Sequence, residues 1–130
     1  MRLLLDTHVL LWAALKPTLL PQRLQAQLLD PTHTLFLSAA TAWELSIKHH
    51  LGKLPEATPL LAFAEVARQL EAEVLNISAA HAVQAGALAW SHRDPFDRML
   101  VAQAGLEGCW LVTLDEQIRS FPAAALYDWE

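Results

Sequence analysis

Short, wholly apolar runs alternate along the chain with longer stretches whose apolar positions recur every three or four residues. Leu3-Leu4-Leu5 is one such run, closed by Asp6, and it reads as a strand buried on both faces. Val9 to Leu15 continues as a helix that stops before Lys16-Pro17. Pro21 opens a second helix through Leu29, closed by Asp30-Pro31. Leu35-Phe36-Leu37 is the second strand. Ser38 is a suitable N-cap for a helix over Ala39 to His50, and Gly52 suits its stop. Leu60, Phe63, Ala64, Ala67 and Leu70 fall at helical spacing, so an amphipathic helix is expected over Pro59 to Glu71. Val74 to Ile77 is a third strand, and Ala79 to Trp90 an Ala-rich helix that tolerates Gly86. Asp94-Pro95 opens a helix running to about Leu106, before Gly108. Trp110 to Thr113 is the fourth strand, and Ala125-Leu126-Tyr127 a candidate fifth, at an edge.

Apolar strands separated by helices predict an α/β fold: a three-layer α/β/α sandwich with a small, mainly parallel central sheet of four to five strands. No repeat, low-complexity tract or linker divides the sequence, so one domain over residues 1–130 is expected. In such sheets the functional crevice lies beyond the carboxyl ends of the strands. Asp6 ends the first strand and Asp115 follows the fourth. Glu44 lies on the helix entered from the second strand, and Asp97 in the first turn of the helix preceding the fourth. All four can converge on one edge of the sheet.

Composition narrows the class. The apolar share is 54% and the charged share 18%, which excludes a disordered chain. Leu and Ala far outnumber Val and Ile, favouring helices over a small sheet. Cys109 stands alone; it permits neither an internal disulfide nor a thiolate zinc cluster, and it suits a reducing compartment. The opening Met1-Arg2-Leu3-Leu4-Leu5 begins like a signal peptide but is interrupted at once by Asp6. No apolar run approaches the ~18 residues of a membrane span. A soluble, cytoplasmic protein with no membrane partner is expected. The net charge of −5 argues against a basic nucleic-acid coat. It leaves room for a nucleic-acid enzyme whose acids hold cations, because bound ions reverse the local charge.

Each acid has an ordinary structural alternative. Asp6 could cap the first helix. Glu44 could close a capping box with Thr41, although its apolar neighbours Ala42, Trp43, Leu45 and Ile47 make an unpaired carboxylate there costly. Asp94 before Pro95 reads as an N-cap followed by N1. Asp97 then falls at N3, where an acid favours the helix dipole, and Asp115 could be a turn residue or a cap. Together they read differently. Converging carboxylates repel one another unless a cation sits among them. An oxygen donor set with no cysteine fits Mg²⁺ or Mn²⁺ better than Zn²⁺, and such a site suits phosphodiester cleavage.

The segments bearing these acids resemble a known family. Leu3-Leu4-Leu5-Asp6-Thr7-His8 is similar to the first motif of PIN-domain nucleases, and Thr41-Ala42-Trp43-Glu44-Leu45-Ser46-Ile47-Lys48 to the second. His92 through Ala104 resembles the third, and Leu111-Val112-Thr113-Leu114-Asp115 the fourth. The likeness runs in order along nearly the whole chain and is strongest to VapC-type toxins of type II toxin–antitoxin systems. One departure is His8, where many members carry Asn. The resemblance implies a toxin that is an Mg²⁺- or Mn²⁺-dependent endoribonuclease, cleaving RNA through metal-activated water and leaving 5′-phosphate and 3′-hydroxyl ends. It implies inhibition by a small cognate antitoxin, and a homodimer within a larger toxin–antitoxin complex. Asp6, Glu44 and Asp97 match the family's metal-site acids, and Asp115 its more variable fourth. Asp97 is preferred to Asp94 because it stands before the Val101-Ala102-Gln103-Ala104 run as the family's acid does.

Four further residues form the candidate substrate-binding set. Lys48 is either a helix-surface partner of Glu44 or a contact to substrate phosphate. Arg98 either meets phosphate or braces a site carboxylate. Thr7 and Thr113, at strand ends, can bond site waters or carboxylates. Lys53, His92 and Arg93 could add a weak basic rim. His49-His50 is a poor metal pair, because adjacent helix residues do not share a face. The five tryptophans read mostly as core or interface, with base stacking a minor alternative.

Three other classes fit less well. A haloacid-dehalogenase-like phosphatase needs a second Asp where His8 stands. A receiver domain needs an acceptor Asp after a middle strand and a later Lys, and neither Asn76 nor Asp115 supplies them. A PIN-like scaffold without catalysis is disfavoured because all four acids are present.

Overall fold

A computed structural model describes every residue from Met1 to Glu130. Four strands, β1 (Arg2–Leu5), β2 (Thr34–Ser38), β3 (Glu73–Leu75) and β4 (Trp110–Val112), form one sheet in the order β3-β2-β1-β4. Every pairing is parallel, with Leu3 beside both Leu35 and Trp110, and Leu37 beside Val74. The expected fifth strand is reduced to one bridge. Tyr127 N donates to Leu111 O at 2.9 Å and Leu111 N to Ala125 O, pairing Leu126 with Leu111 in parallel.

Seven helices cover the sheet: α1 (Thr7–Leu15), α2 (Gln22–Leu29), α3 (Ala39–His50), α4 (Phe63–Gln69), α5 (Ala79–Ala87), α6 (Pro95–Glu107) and α7 (Glu116–Arg119). The pleat sends alternate strand residues to opposite faces. Leu3, Leu5, Leu35, Leu37 and Val112 pack with Val9 and Leu10 of α1, Leu24 of α2, Leu45 of α3 and Val66 of α4. Leu4, Phe36 and Leu111 pack instead with Leu100, Val101 and Ala104 of α6 and Ile118 of α7. The three layers expected from the sequence are therefore present. Each fully buried leucine stabilises the fold by about 1.5–3 kcal/mol.

The connections explain the layering. From β1 the chain steps to β2 and then β3 in one direction, with α1 to α4 on one face. It then returns past β1 to β4, carrying α5 and α6 across the other face. Right-handed crossovers require this change of face when the direction of travel reverses. The reversal creates a switch point between β1 and β4, where open α/β sheets hold their ligands.

Local departures have local causes. The amphipathic helix expected over Pro59–Glu71 is split: a 3-10 segment covers Pro55–Leu61 and α4 begins only at Phe63. Pro59 lacks the N–H that an α-helix through this segment would use. The third strand is Glu73–Leu75, a residue earlier and shorter than expected, and α5 stops at Ala87 rather than Trp90. The short α7 follows β4 where only a turn or cap was foreseen. Glu71 takes the left-handed conformation (φ 54°) that ends α4, a position glycine normally fills. No helix is long and apolar enough to cross a membrane.

Candidate metal centre

Four elements deliver acids to the carboxyl edge of the sheet. Asp6 stands where β1 becomes α1, and its backbone N–H still donates to Val112 O of β4 at 2.9 Å. It is 4% exposed. Its Oδ1 accepts from Thr7 N and its Oδ2 from the Thr113 hydroxyl, both at 2.7 Å. Burial pushes the Asp6 carboxyl above its ordinary range, and Glu44's charge adds to that. The bonds from Thr113 and Thr7 and the charge of His8 only partly oppose it.

Glu44 faces inward from α3, which Ser38 caps by accepting from Ala40 N at 3.0 Å. The carboxylate is also 4% exposed. The Thr7 hydroxyl donates to its Oε1 at 2.6 Å, and Lys48 Nζ lies 2.7 Å from its Oε2. Thr7 thus touches both buried acids, Asp6 through its backbone and Glu44 through its side chain. Lys48 is half-buried in this pair. Burial works against its charge, but the Glu44 bond and the charges of Glu44, Asp94 and Asp97 prevail and hold its pKa up.

Asp97 enters from the first turn of α6. Asp94 is the cap anticipated for this helix, accepting from Phe96 N at 2.9 Å and Asp97 N at 3.1 Å. Asp97 Oδ2 meets His92 Nε2 at 2.7 Å. Its pKa is pushed up to about 6, first by burial, against the His92 bond, and then by the charges of Asp94, Asp6 and Asp115. Asp97 is therefore near enough to feel both Asp6 and Asp115. Its immediate companions, though, are His92 and Asp94: one donor atom from each of the three lies within 4.8 Å of the others. Asp115 caps α7 through Gln117 N and Ile118 N, and its own N–H donates to the Thr113 hydroxyl at 3.0 Å.

The chain belongs to the PIN-domain family. The family profile matches residues 3–124, which include all four acids. Among solved structures, VapBC2 from Rickettsia felis, bound to a DNA fragment from its promoter, aligns over 100% of both chains at 20% identity, with a TM-score of 0.69. A toxin–antitoxin complex from Klebsiella pneumoniae aligns over 98% of this chain and 97% of its own, at 18% identity and a TM-score of 0.59. A domain of a functionally unknown protein from Methanocaldococcus jannaschii aligns over 97% and 89%, at 21% identity and 0.58. At these identities the likeness is one of fold. No curated protein matches the chain significantly.

Of the candidate substrate-binding residues, three lie at the acids and one does not. Thr7 and Thr113 hold carboxylates, the second of the roles foreseen for them, and Lys48 pairs with Glu44. Arg98, expected at phosphate or at a carboxylate, does neither. Its guanidinium donates to the carbonyls of Ala85, Gly86, Leu88, Trp90 and His92, tying the α5–α6 connection to α6. A guanidinium so fully engaged has no free edge for a ligand. His92, expected on a basic rim, is instead the partner of Asp97; no sequence period marks a pair joined across a loop. Gln103, one residue of the run that follows Asp97, has a structural role that no sequence pattern marks. Fully buried, it joins α6 to the start of α3 by accepting from the Ser38 hydroxyl and lies 3.3 Å from His81. His49 and His50 touch edge to face, with ring centroids 5.3 Å apart, although adjacent helix residues were not expected to share a face, and their nitrogens meet Thr58 and the Ser46 carbonyl respectively.

Proposed function

We propose that this PIN-domain chain is a divalent-metal-dependent endoribonuclease, the toxin of a type II toxin–antitoxin pair of the VapC type. The observation that carries this reading is the burial of Asp6 and Glu44 side by side, joined through Thr7, with Asp97 near enough to feel the charge of Asp6. Lys48 pairs with Glu44 and His92 with Asp97, while Asp94 and Asp115 accept from helix N–H groups. Two buried like charges side by side, with half-buried Asp97 near Asp6, call for a cation. The donors are nearly all oxygen, which fits Mg²⁺ or Mn²⁺.

Asp6, Glu44 and Asp97 would hold the ion, with Asp115 assisting. When bound, such an ion lowers the pKa of water, orients a phosphate and neutralises charge on the leaving oxygen. The protein's own groups prepare the site. Thr7 and Thr113 fix the rotamers of Glu44 and Asp6, and His92 fixes that of Asp97. Lys48 stands at the half-exposed rim, where its ammonium can meet substrate phosphate. No side-chain nucleophile is required.

Similarity to the R. felis and K. pneumoniae toxin–antitoxin complexes supports a cognate antitoxin as partner. The same reading takes RNA as substrate, a single catalytic domain over the chain, cytoplasmic action, and a homodimer within the larger complex. Expression in a bacterial host is expected to arrest growth, and the purified protein to cleave RNA in Mg²⁺ or Mn²⁺ but not in EDTA. Asp6→Asn should abolish both while leaving the fold intact. Full metal-dependent cleavage by a folded Asp6→Asn protein overturns the assignment.

A further inference from the structure

We propose that Trp43 is the base-stacking platform of this site, taking a nucleobase of single-stranded RNA beside the phosphate presented to the acids. The inference deepens the nuclease reading and rests on it for the class of substrate. Trp43 immediately precedes Glu44 on α3, and Phe96 immediately precedes Asp97 on α6. The two rings meet edge to face, with centroids 5.0 Å apart and planes at 76°. In α3 and α6, therefore, an aromatic side chain stands one position before the site acid, and the two aromatics touch.

Trp43 is 57% exposed. The same helix buries Ala40, Thr41, Glu44 and Leu45, so its packing leaves the indole turned outward. Leaving a tryptophan in water forgoes a large burial gain. The contact with half-buried Phe96 braces the indole, and an aromatic held in one orientation loses little freedom on binding. More than half of its surface stays open to a ligand.

The surroundings choose the ligand. Lys48, paired with Glu44, lies five residues beyond Trp43 on α3, and Arg93, Asp94 and Asp97 lie at the entrance to α6 on either side of Phe96 in sequence. The core of a protein–protein interface is depleted of charge, and a protein seated on Trp43 would have to desolvate these groups. A nucleotide needs no such desolvation. Its base offers a π-face to the indole whatever the sequence, and its phosphate stays with the charged groups. Recognition by stacking requires splayed bases, which single strands provide. Ile47 and Leu51 continue an apolar line along α3 away from the acids, so a second copy of the chain is the competing occupant.

The test uses labelled single-stranded oligoribonucleotides in which one abasic nucleotide is walked along the strand. Binding to wild type, Trp43→Ala and Trp43→Phe is followed by anisotropy at low salt, in Ca²⁺ and in EDTA. Cleavage in Mn²⁺ and sedimentation are measured in parallel. At one position the abasic substitution is expected to weaken wild-type binding on the order of tenfold. It should cost Trp43→Ala nothing further, while Trp43→Phe retains most of the difference and all three proteins sediment alike. The proposal is overturned by equal abasic penalties in wild type and Trp43→Ala, or by no wild-type binding. It is equally overturned if Trp43→Ala sediments as a smaller species, since a second copy then covers the indole. Position-specific binding without cleavage would leave the platform standing and remove the nuclease reading; cleavage without it would do the reverse.

Discussion

The Thr113 hydroxyl donates to Asp6 Oδ2 across 2.7 Å and at the same time accepts from Asp115 N at 3.0 Å. It thereby locks the carboxyl ends of β1 and β4 together at the point where the strand order reverses. Thr113→Val keeps the shape and removes both bonds. Unfolding free energy should fall by about 1–3 kcal/mol, because a buried oxygen and an N–H each lose a partner. If Asp6 is a metal ligand, Mn²⁺ affinity should fall roughly 10–100-fold, the usual effect of removing a ligand's hydrogen-bonding support. Thr113→Ser should restore both. Mn²⁺ titration by electron paramagnetic resonance and thermal denaturation measure the two effects, and an unchanged Mn²⁺ affinity in Thr113→Val would remove Thr113 from the site.

Asp97 gives the metal-free protein a pH dependence of known sign. Its pKa is about 6 in the fold against an ordinary 3.8. The folded state therefore binds the proton more tightly than the unfolded chain. Stability falls as pH rises from about 3.8 to about 6, and above that the penalty is complete. Asp6, also raised, acts in the same direction. In EDTA, Asp97→Asn should be more stable than wild type at pH 7 by on the order of 1–2 kcal/mol once solvent screening is allowed for. That advantage should shrink steadily toward pH 4.5. Urea denaturation at several pH values tests this, and a constant difference across the range would contradict it.

Arg98 is a structural clamp whose loss should be felt at a distance. Lys has no planar fork and could reach only some of the five carbonyls that Arg98 joins. Arg98→Lys should therefore cost about 2–4 kcal/mol and raise amide exchange over residues 85–92. His92 belongs to that segment, so Asp97 should lose its orientation as well. Hydrogen exchange by mass spectrometry decides the matter: protection unchanged over 85–92 would mean the clamp does not hold the segment.

Much of this was legible in the sequence, for identifiable reasons. The central strands are unbroken leucine-rich runs, and α3 begins at a serine cap and ends near a glycine, so local chemistry marks them. Asp94-Pro95 announced α6 and its cap by the same logic. Asp6, Glu44, Asp97 and Asp115 stand out because each follows or interrupts an apolar segment. Contacts between elements were not legible. The turn of Arg98 toward backbone carbonyls, the pairing of His92 with Asp97 and the burial of Gln103 against Ser38 depend on how α5, α6 and β2 dock. The edge strand at Ala125–Tyr127 shrank to one bridge, because pairing there depends on what β4 leaves open rather than on residue type.

Lys48 sits where a divalent ion's charge would be felt most, with Nζ 2.7 Å from Glu44 Oε2. In the metal-free protein it is the cation that neutralises Glu44. An ion held by the same carboxylate would repel it, because like charges a few ångströms apart interact by several kcal/mol even at an effective dielectric near 20. Lys48 and the ion therefore compete for Glu44, and the displaced ammonium becomes available to phosphate. Two opposite effects should follow in Lys48→Met. Mn²⁺ should bind about tenfold more tightly, since its competitor is gone. RNA should require a higher concentration for half-maximal cleavage, since a phosphate contact is lost, and the salt dependence of that constant should become shallower. A purely structural ion pair predicts something different: lower thermal stability, with neither tighter Mn²⁺ binding nor a changed salt dependence. Measuring Mn²⁺ affinity and the salt series on the same variant separates the two roles.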